Sequence, residues 1–372
     1  MCSDEIIIFA FFYQVKKKIL FHSNPMDEVV INRLYPLKFR PIIKDKIWGG
    51  TRLRNLLNKK TKTDKAGESW EISCVPKDIS VVCNGFLKGN ALEELIEVYM
   101  GDLVGDRVYD KFGLTFPLLI KFIDANDALS IQVHPDDQLA KKRHHSYGKT
   151  EMWYIVDAEK DAEIIVGFNQ SVNKETYKKH LAKKTLQNIL NKEKVSPGDV
   201  FFLPAGRIHA IGPGILLAEI QQTSDITYRI YDFDRVDDSG KARELHTELA
   251  VDAIDYSEYQ EYKTRYKKTP NSSNRVIKCD YFTTHYIDIR KGIDKDYSKI
   301  DSFVVFICVE GAFTIHYYEK EVEFVQKGET VLLPAEIKNI RLVPEIQARI
   351  LEVTIEGNSP EKNINDVISK YF

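Results

Sequence analysis

The chain has 372 residues and carries 53 Lys plus Arg against 55 Asp plus Glu, so its net charge of -2 offers no global field for nucleic acid or an anionic membrane. With 43% hydrophobic and 29% charged residues the composition is that of an ordinary soluble globular protein, long enough for two or more domains. The five cysteines, at positions 2, 74, 83, 279 and 308, show neither a Cys-x-x-Cys pair nor a repeated spacing, which speaks against a disulfide framework or thiolate metal site and for a reducing, cytoplasmic setting.

In chain order, the first feature is an apolar run from Ile6 to Tyr13 followed by Lys16, Lys17 and Lys18. It is shorter than the roughly 20 residues a membrane span needs, and its basic flank lies on the wrong side for a secretory signal. Residues 1–32 therefore read as an extension outside the core. From there to the C-terminus, β-branched and aromatic runs alternate with turn residues, as in Glu163 to Gly167 and Asp199 to Pro204, a pattern that predicts a mainly β barrel or sandwich. Helical spacing is confined to Ala91–Met100, Lys174–Asn191 and Arg243–Ile254, and the polar stretch Thr269 to Asn274 predicts a linker. Cys308 lies within the apolar run Phe303 to Val309 and is expected to be a buried filler.

An internal repeat links two parts of the chain. Pro197-Gly198-Asp199-Val200-Phe201-Phe202-Leu203-Pro204-Ala205 recurs in outline as Lys327-Gly328-Glu329-Thr330-Val331-Leu332-Leu333-Pro334-Ala335, each a Gly turn, a buried strand and a Pro-Ala stop. His209 in the first copy then corresponds to Asn339 in the second, and the second copy has no Gln-x-His. Two units of one kind in tandem are expected, with metal in the first alone.

The chemistry is concentrated in three stretches. Residues two apart on a strand share a face, so Ser130, Gln132 and His134 line one wall while Ile131 and Val133 face away. Glu151 opens the apolar strand Met152 to Val156, and His209 follows the turn Pro204-Ala205-Gly206. Two imidazoles, a carboxylate and an amide oxygen suit a borderline divalent ion, zinc first, with a position left for water or substrate. Alone, each of these residues is more often a satisfied core or surface group; the pattern carries the reading. His144 and His145 follow a charged run and read as solvated, and His246 reads as packing or capping. A further cluster holds Glu219, Asp225 and Arg229, where a surface ion pair between Asp225 and Arg229 competes with a role for Arg229 on phosphate or a developing oxyanion. Lys121, Ser130 and Lys149 could add donors.

These stretches resemble the type I mannose-6-phosphate isomerases, zinc enzymes of the cupin superfamily. The likeness extends from about Tyr35 to the C-terminus and is carried by Trp48-Gly49-Gly50, Gly67-Glu68-Ser69-Trp70-Glu71, Leu129 to Asp136, Lys149-Thr150-Glu151-Met152, His209-Ala210-Ile211, and Ser224-Asp225 with Arg229. It implies two tandem cupin-like (jelly-roll) barrels with a few peripheral helices, divided as a catalytic domain over 33–268, a linker over 269–275 and a metal-free cupin-like domain over 276–372. It places one zinc ion on Gln132, His134, Glu151 and His209, with Lys121, Ser130, Lys149, Glu219, Asp225 and Arg229 around a sugar phosphate. Lys149, Glu219 and Asp225 are candidate bases, Arg229 an electrostatic stabiliser, and Lys121, Ser130 and Lys149 phosphate holders. The short interval from Glu151 to His209 resembles the compact bacterial form. Competing readings are a metal cupin acting on another phosphosugar, a non-catalytic sugar-phosphate-binding regulatory module, and an oxygen-activating cupin. The expected partner is a small molecule, with neither nucleic acid nor membrane, and the chain is expected as a monomer or homodimer.

Overall fold

The computed structural model describes residues 33–236 and 240–356; the predicted extension over 1–32 and the last 16 positions of the second expected domain lie outside them. Strands dominate, and three packed sheets contain nearly all of them. The central one has six antiparallel strands in the order Val200–Leu203, Glu151–Ala158, Ile215–Gln222, Leu118–Ala125, Ala66–Ile72, Ile42–Gly50. Its central strands are buried at almost every position, as expected of strands covered on both faces.

The alternation of side chains divides those strands between two cores. Met152, Tyr154, Ile120, Phe122, Leu216, Ala218 and Ile220 join a core shared with the C-terminal sheet. Trp153, Ile155, Ile123, Ile215 and Leu217 point the other way and pack with Ile164, Val166 and Ile211, which belong to a five-stranded sheet ordered Leu190–Lys194, Glu163–Phe168, His209–Ile211, Ile131–Val133, Tyr228–Tyr231. The outer face of that sheet, with Ile131, Val133, Ala210, Tyr228 and Ile230, is covered by Tyr177 of the helix Lys174–Ala182 and by Ala250 and Val251 of the helix Thr247–Ala253. Phe122 is fully buried, and truncating such a ring to alanine costs about 3–5 kcal/mol.

The third sheet is built by residues 274–354 with the short strand Leu37–Lys38 at its edge. Its two long strands, Val304–Tyr317 and Asn339–Thr354, bend where their register shifts around residues 308–313. Gly311 is required there: its φ is 73°, and a Cβ would meet the Gln347 carbonyl oxygen at 2.0 Å. The bend lets the outer halves pair with Glu321–Gln326 and Ile293–Asp296 while the inner halves stay in the main ladder. Strand order is open in every sheet, so the closure expected of two barrels is absent among the described residues.

The helices are partly relocated from their predicted bounds. The first spans Leu92–Val104 but is broken at Met100 (φ 44°), where its predicted bound falls, and Glu94 accepts the Ala91 N–H at 2.8 Å. The predicted helix over Lys174–Asn191 ends at Ala182, because Lys184 turns to φ 56° and Leu190 already pairs with Phe168 in the sheet. The third begins at Thr247, since Arg243 is drawn away to the Asp232 carboxylate. Asn274 closes the predicted linker by bonding the Thr269 backbone in both directions. Cys308 is fully buried, and no helix among the described residues is long and apolar enough to cross a membrane.

Candidate metal centre and active site

The interior between the six- and five-stranded sheets is where the alternation sends the polar residues of both. On the five-stranded side, pairing puts His209 and Arg229 on either flank of Gln132. On the six-stranded side, Glu219 lies between Lys121 and Trp153, Trp70 follows Lys121, and Gln221 lies opposite Glu151. Antiparallel partners share a face, so two polar rows confront each other across this interior.

At one end the rows converge on three buried groups. His134 Nε2, His209 Nε2 and a Glu151 carboxylate oxygen offer ligand atoms that all lie within 4.8 Å of one another. His134 Nε2 is 3.5 Å from Glu151 Oε2, and His209 Nε2 is 3.3 Å from Oε1. Each imidazole is oriented from behind: His134 Nδ1 donates to the Ile226 carbonyl at 2.9 Å and His209 Nδ1 to the Arg207 carbonyl at 2.8 Å. That fixes the tautomer with the Nε2 lone pair directed inward, the arrangement metal-binding histidines adopt. Glu151 is fully buried, yet its Oε1 accepts no hydrogen bond and its Oε2 meets only the Lys149 ammonium as a donor. An orphaned carboxylate oxygen at such depth, facing an imidazole nitrogen, suits a cation held between the carboxylate and the imidazoles. Gln132 Nε2 lies 3.2 Å from His209 Nε2, and a half-turn of the amide, which exchanges its oxygen and nitrogen, directs Oε1 to the same point.

The electrostatics agree with a divalent ion. Burial depresses the His209 imidazole to about 4 and pushes His134 well below its usual value, so both are neutral at pH 7. Burial raises Glu151 to about 7 against the pull of Lys149, whose Nζ sits 3.0 Å from Glu151 Oε2 and 3.1 Å from His134 Nε2. Lys149 thus shares the face of Glu151, as their spacing predicts.

A cavity of about 440 Å³ opens from this cluster. All of Lys121, Ser130, Gln132, Lys149, Glu219, Asp225 and Arg229 line it. Lys121 Nζ is 3.0 Å from Glu219 Oε2, and Glu219 Oε1 accepts the Trp153 indole N–H at 2.9 Å. Burial alone would raise the Glu219 carboxyl, but Lys121, Lys149 and the Trp153 N–H together outweigh it and hold the group down at about 2. The Asp225–Arg229 ion pair considered from sequence is not formed: Arg229 donates to the Glu244 carbonyl at 2.8 Å, and its buried Nε has no partner. His144 is exposed and bonds the Tyr228 hydroxyl at 2.8 Å; His246 precedes the helix Thr247–Ala253 without a side-chain capping bond and instead accepts the Arg229 backbone N–H at 3.2 Å.

Sequence reasoning missed part of the wall. Lys44, Lys46, Glu68, Trp70, Asp78, Thr227 and Arg243 also line the cavity. Glu68 bridges Lys46 at 3.1 Å and the Trp70 indole at 2.6 Å, Lys44 pairs with Asp78, and Arg243 pairs with Asp232. Lys121 and Lys149 have carboxylates too, which leaves Arg229 as the cavity cation without one among the described residues. The missed signal was the alternation Lys44, Lys46, Trp48 and Glu68, Trp70 on two adjoining strands.

Two family models match the chain: Phosphomannose isomerase type I, catalytic domain, over residues 36–190, and Mannose-6-phosphate isomerase, cupin domain, over residues 272–351. The chain is 37% identical over 313 residues to mannose-6-phosphate isomerase ManA of Bacillus subtilis, covering 82% of this chain and 95% of that protein. It is 36% identical over 305 residues to the mannose-6-phosphate isomerase of Streptococcus mutans, covering 82% and 94%. Among solved structures, the mannose 6-phosphate isomerase from Bacillus subtilis aligns over 86% of this chain and 99% of its own with a TM-score of 0.77 and 32% identity. The putative mannosephosphate isomerase from Archaeoglobus fulgidus aligns over 87% and 99% with a TM-score of 0.69 at 21% identity, a likeness of fold.

Proposed function

The chain belongs to the type I mannose-6-phosphate isomerase family, and from that premise we propose that it interconverts mannose 6-phosphate and fructose 6-phosphate with one zinc ion held by Gln132, His134, Glu151 and His209. The observation that carries the metal is the buried convergence of two inward-facing imidazoles on the Glu151 carboxylate, whose Oε1 has no hydrogen-bond donor. When bound, zinc supplies Lewis-acid polarisation of substrate oxygens or of a water in a dry pocket. In this reading residues 33–268 are a catalytic cupin unit, 269–275 a linker and 276–372 a second cupin-like unit, the open sheets being two jelly rolls. The four described cysteines are free, in keeping with a cytoplasmic enzyme.

The reaction moves a proton from C2 of the open-chain aldose to C1 through a cis-enediol or enediolate. Charge develops on the two substrate oxygens, and groups preorganised around them stabilise it. Arg229 suits that task because its guanidinium enters the cavity uncompensated by a carboxylate. Glu219, ionised and tied to Lys121 and Trp153, is too acidic for an efficient base near neutrality and instead orients Lys121. Lys149 and Asp225 are the side chains left to carry the proton; Lys149 reaches deepest, against Glu151 and His134. Lys121 and Ser130 offer donors to the phosphate.

The test is metal analysis of the purified chain coupled to isomerase assays with mannose, glucose and fructose 6-phosphates in parallel. Stoichiometric zinc and turnover between the mannose and fructose esters are expected. Zinc-loaded protein that binds these esters saturably without turnover would make it a regulatory module, and preference for the glucose ester would reassign the substrate.

A further inference from the structure

The turn Pro204–Arg207 touches every histidine- or glutamate-bearing segment of the proposed metal centre. Ala205 N–H donates to Thr150 Oγ1 at 3.2 Å, one residue from Glu151. Gly206 N–H donates to the His134 carbonyl at 2.9 Å. The Arg207 carbonyl accepts from His209 Nδ1 at 2.8 Å. Three successive residues thus fix the backbone beside Glu151, the backbone of His134 and the ring of His209. A displacement of this turn would move all three donors together, and metal ligands tolerate little misplacement.

The turn itself is held from outside the site. Asp255 N–H donates to the Gly206 carbonyl at 2.8 Å, and Gly206 has φ +90° with the Ala253 carbonyl oxygen 2.9 Å from where a Cβ would stand. The Arg207 side chain leaves the centre altogether. Its guanidinium lies 3.9 Å from the Tyr259 ring centroid and 5.1 Å from that of Tyr262, and the residue is 6% exposed. Tyr259 donates to Asp255 at 2.8 Å, while the Tyr262 hydroxyl bonds both the N–H and the carbonyl of Phe168, at the end of the strand that pairs with His209. A planar cation seated against two anchored rings is a firm attachment, since each such contact is worth about 0.5–2 kcal/mol depending on its exposure.

We propose that Arg207 is a positioning residue for the metal centre: clamped by Tyr259 and Tyr262, it holds the turn that aligns Glu151, His134 and His209. The inference rests on the zinc reading above, and zinc affinity separates the two. Wild-type chain stripped of metal and titrated with zinc against a competing chelator is expected to bind one ion; failure to bind overturns the zinc reading itself. In Arg207→Met the affinity should fall about 10–100-fold, the range typical of outer-shell partners, with the thermal midpoint of the metal-free chain unchanged. Wild-type affinity in Arg207→Met overturns the proposal. Tyr259→Leu, which leaves every atom of the turn in place, decides the case in which Arg207→Met lowers metal-free stability as well: weakened zinc binding supports the clamp, and wild-type binding refutes it.

Discussion

The two halves of the chain repeat a scaffold and differ in what they hang on it. Leu203 pairs with Glu151, and at the matching place in the second half Leu333 pairs with Val304. His209 pairs with Gln132, as Asn339 pairs with Asp296. Position for position, Gln132, His134, Glu151 and His209 become Asp296, Ser298, Val304 and Asn339. None of these four replacements offers the nitrogen ligand a soft or borderline metal prefers. Yet one carboxylate survives: Glu219 pairs with Lys121 and Trp153, and Glu352 pairs with His285 and Phe306. In the second half that carboxylate is occupied by Lys295 at 2.7 Å, the Tyr297 hydroxyl and Ser273 at 3.1 Å. The fold therefore supplies the interior wall, and a handful of side chains decides whether it becomes a site or a plug.

The largest expected effect tests whether metal belongs to the first half alone. Glu151→Gln removes the buried charge on which both imidazoles converge, and zinc affinity should drop by more than the roughly 100-fold seen on losing outer-shell partners, taking activity with it. Zinc that stays at one per chain in this variant, measured by atomic emission after gel filtration, would place a site elsewhere. Next in size is Arg229→Ala. Removing a preorganised charge of this kind costs about 10²–10³ in turnover, while bound zinc should remain at the wild-type level; loss of metal would show that Arg229 supports the centre and does not act on substrate.

Much of this contrast is legible in the sequence because it depends on period-two spacing. Gln132 with His134, and Lys149 with Glu151, are two apart on extended chain, so each pair had to share a face. The Gly-strand-Pro-Ala repeat set His209 against Asn339, and the structure keeps that register. What escaped depends on how separate segments meet. Lys44, Lys46, Glu68 and Trp70 look like ordinary edge-strand alternation until pairing brings them beside Lys121. Arg243 has helix-like spacing, but two hydrogen bonds to Asp232 outweigh that weak local preference. The ion pair between Asp225 and Arg229 is absent because the guanidinium reaches the Glu244 carbonyl, a contact between segments 15 residues apart.

A smaller effect sharpens the role of the surviving carboxylate. Glu352 is 3% exposed and satisfies Lys295 and Tyr297, so Glu352→Gln should lower unfolding stability by about 1–3 kcal/mol, the cost of leaving buried partners unsatisfied. The urea midpoint reads this directly. Zinc affinity and turnover of the folded variant should match wild type, because no residue of the centre touches Glu352; a fall in zinc affinity would mean that the second half tunes the first.

Glu219, at the equivalent place, should betray itself by pH. Burial opposes its ionisation, but Lys121, with Lys149 and the Trp153 N–H, prevails and lowers the carboxyl from 4.5 to about 2. Between those values the unfolded chain binds the proton more readily than the folded one, so stability from this pair is complete above about pH 4.5 and is lost as pH falls toward 2. Glu219→Gln has no such proton to take up. Its urea midpoints at pH 5, 4 and 3 should fall less steeply than those of the wild type, by the contribution of one group. Parallel slopes for the two proteins would mean that Lys121 does not hold Glu219 ionised. The acid limb would then come from other paired carboxylates.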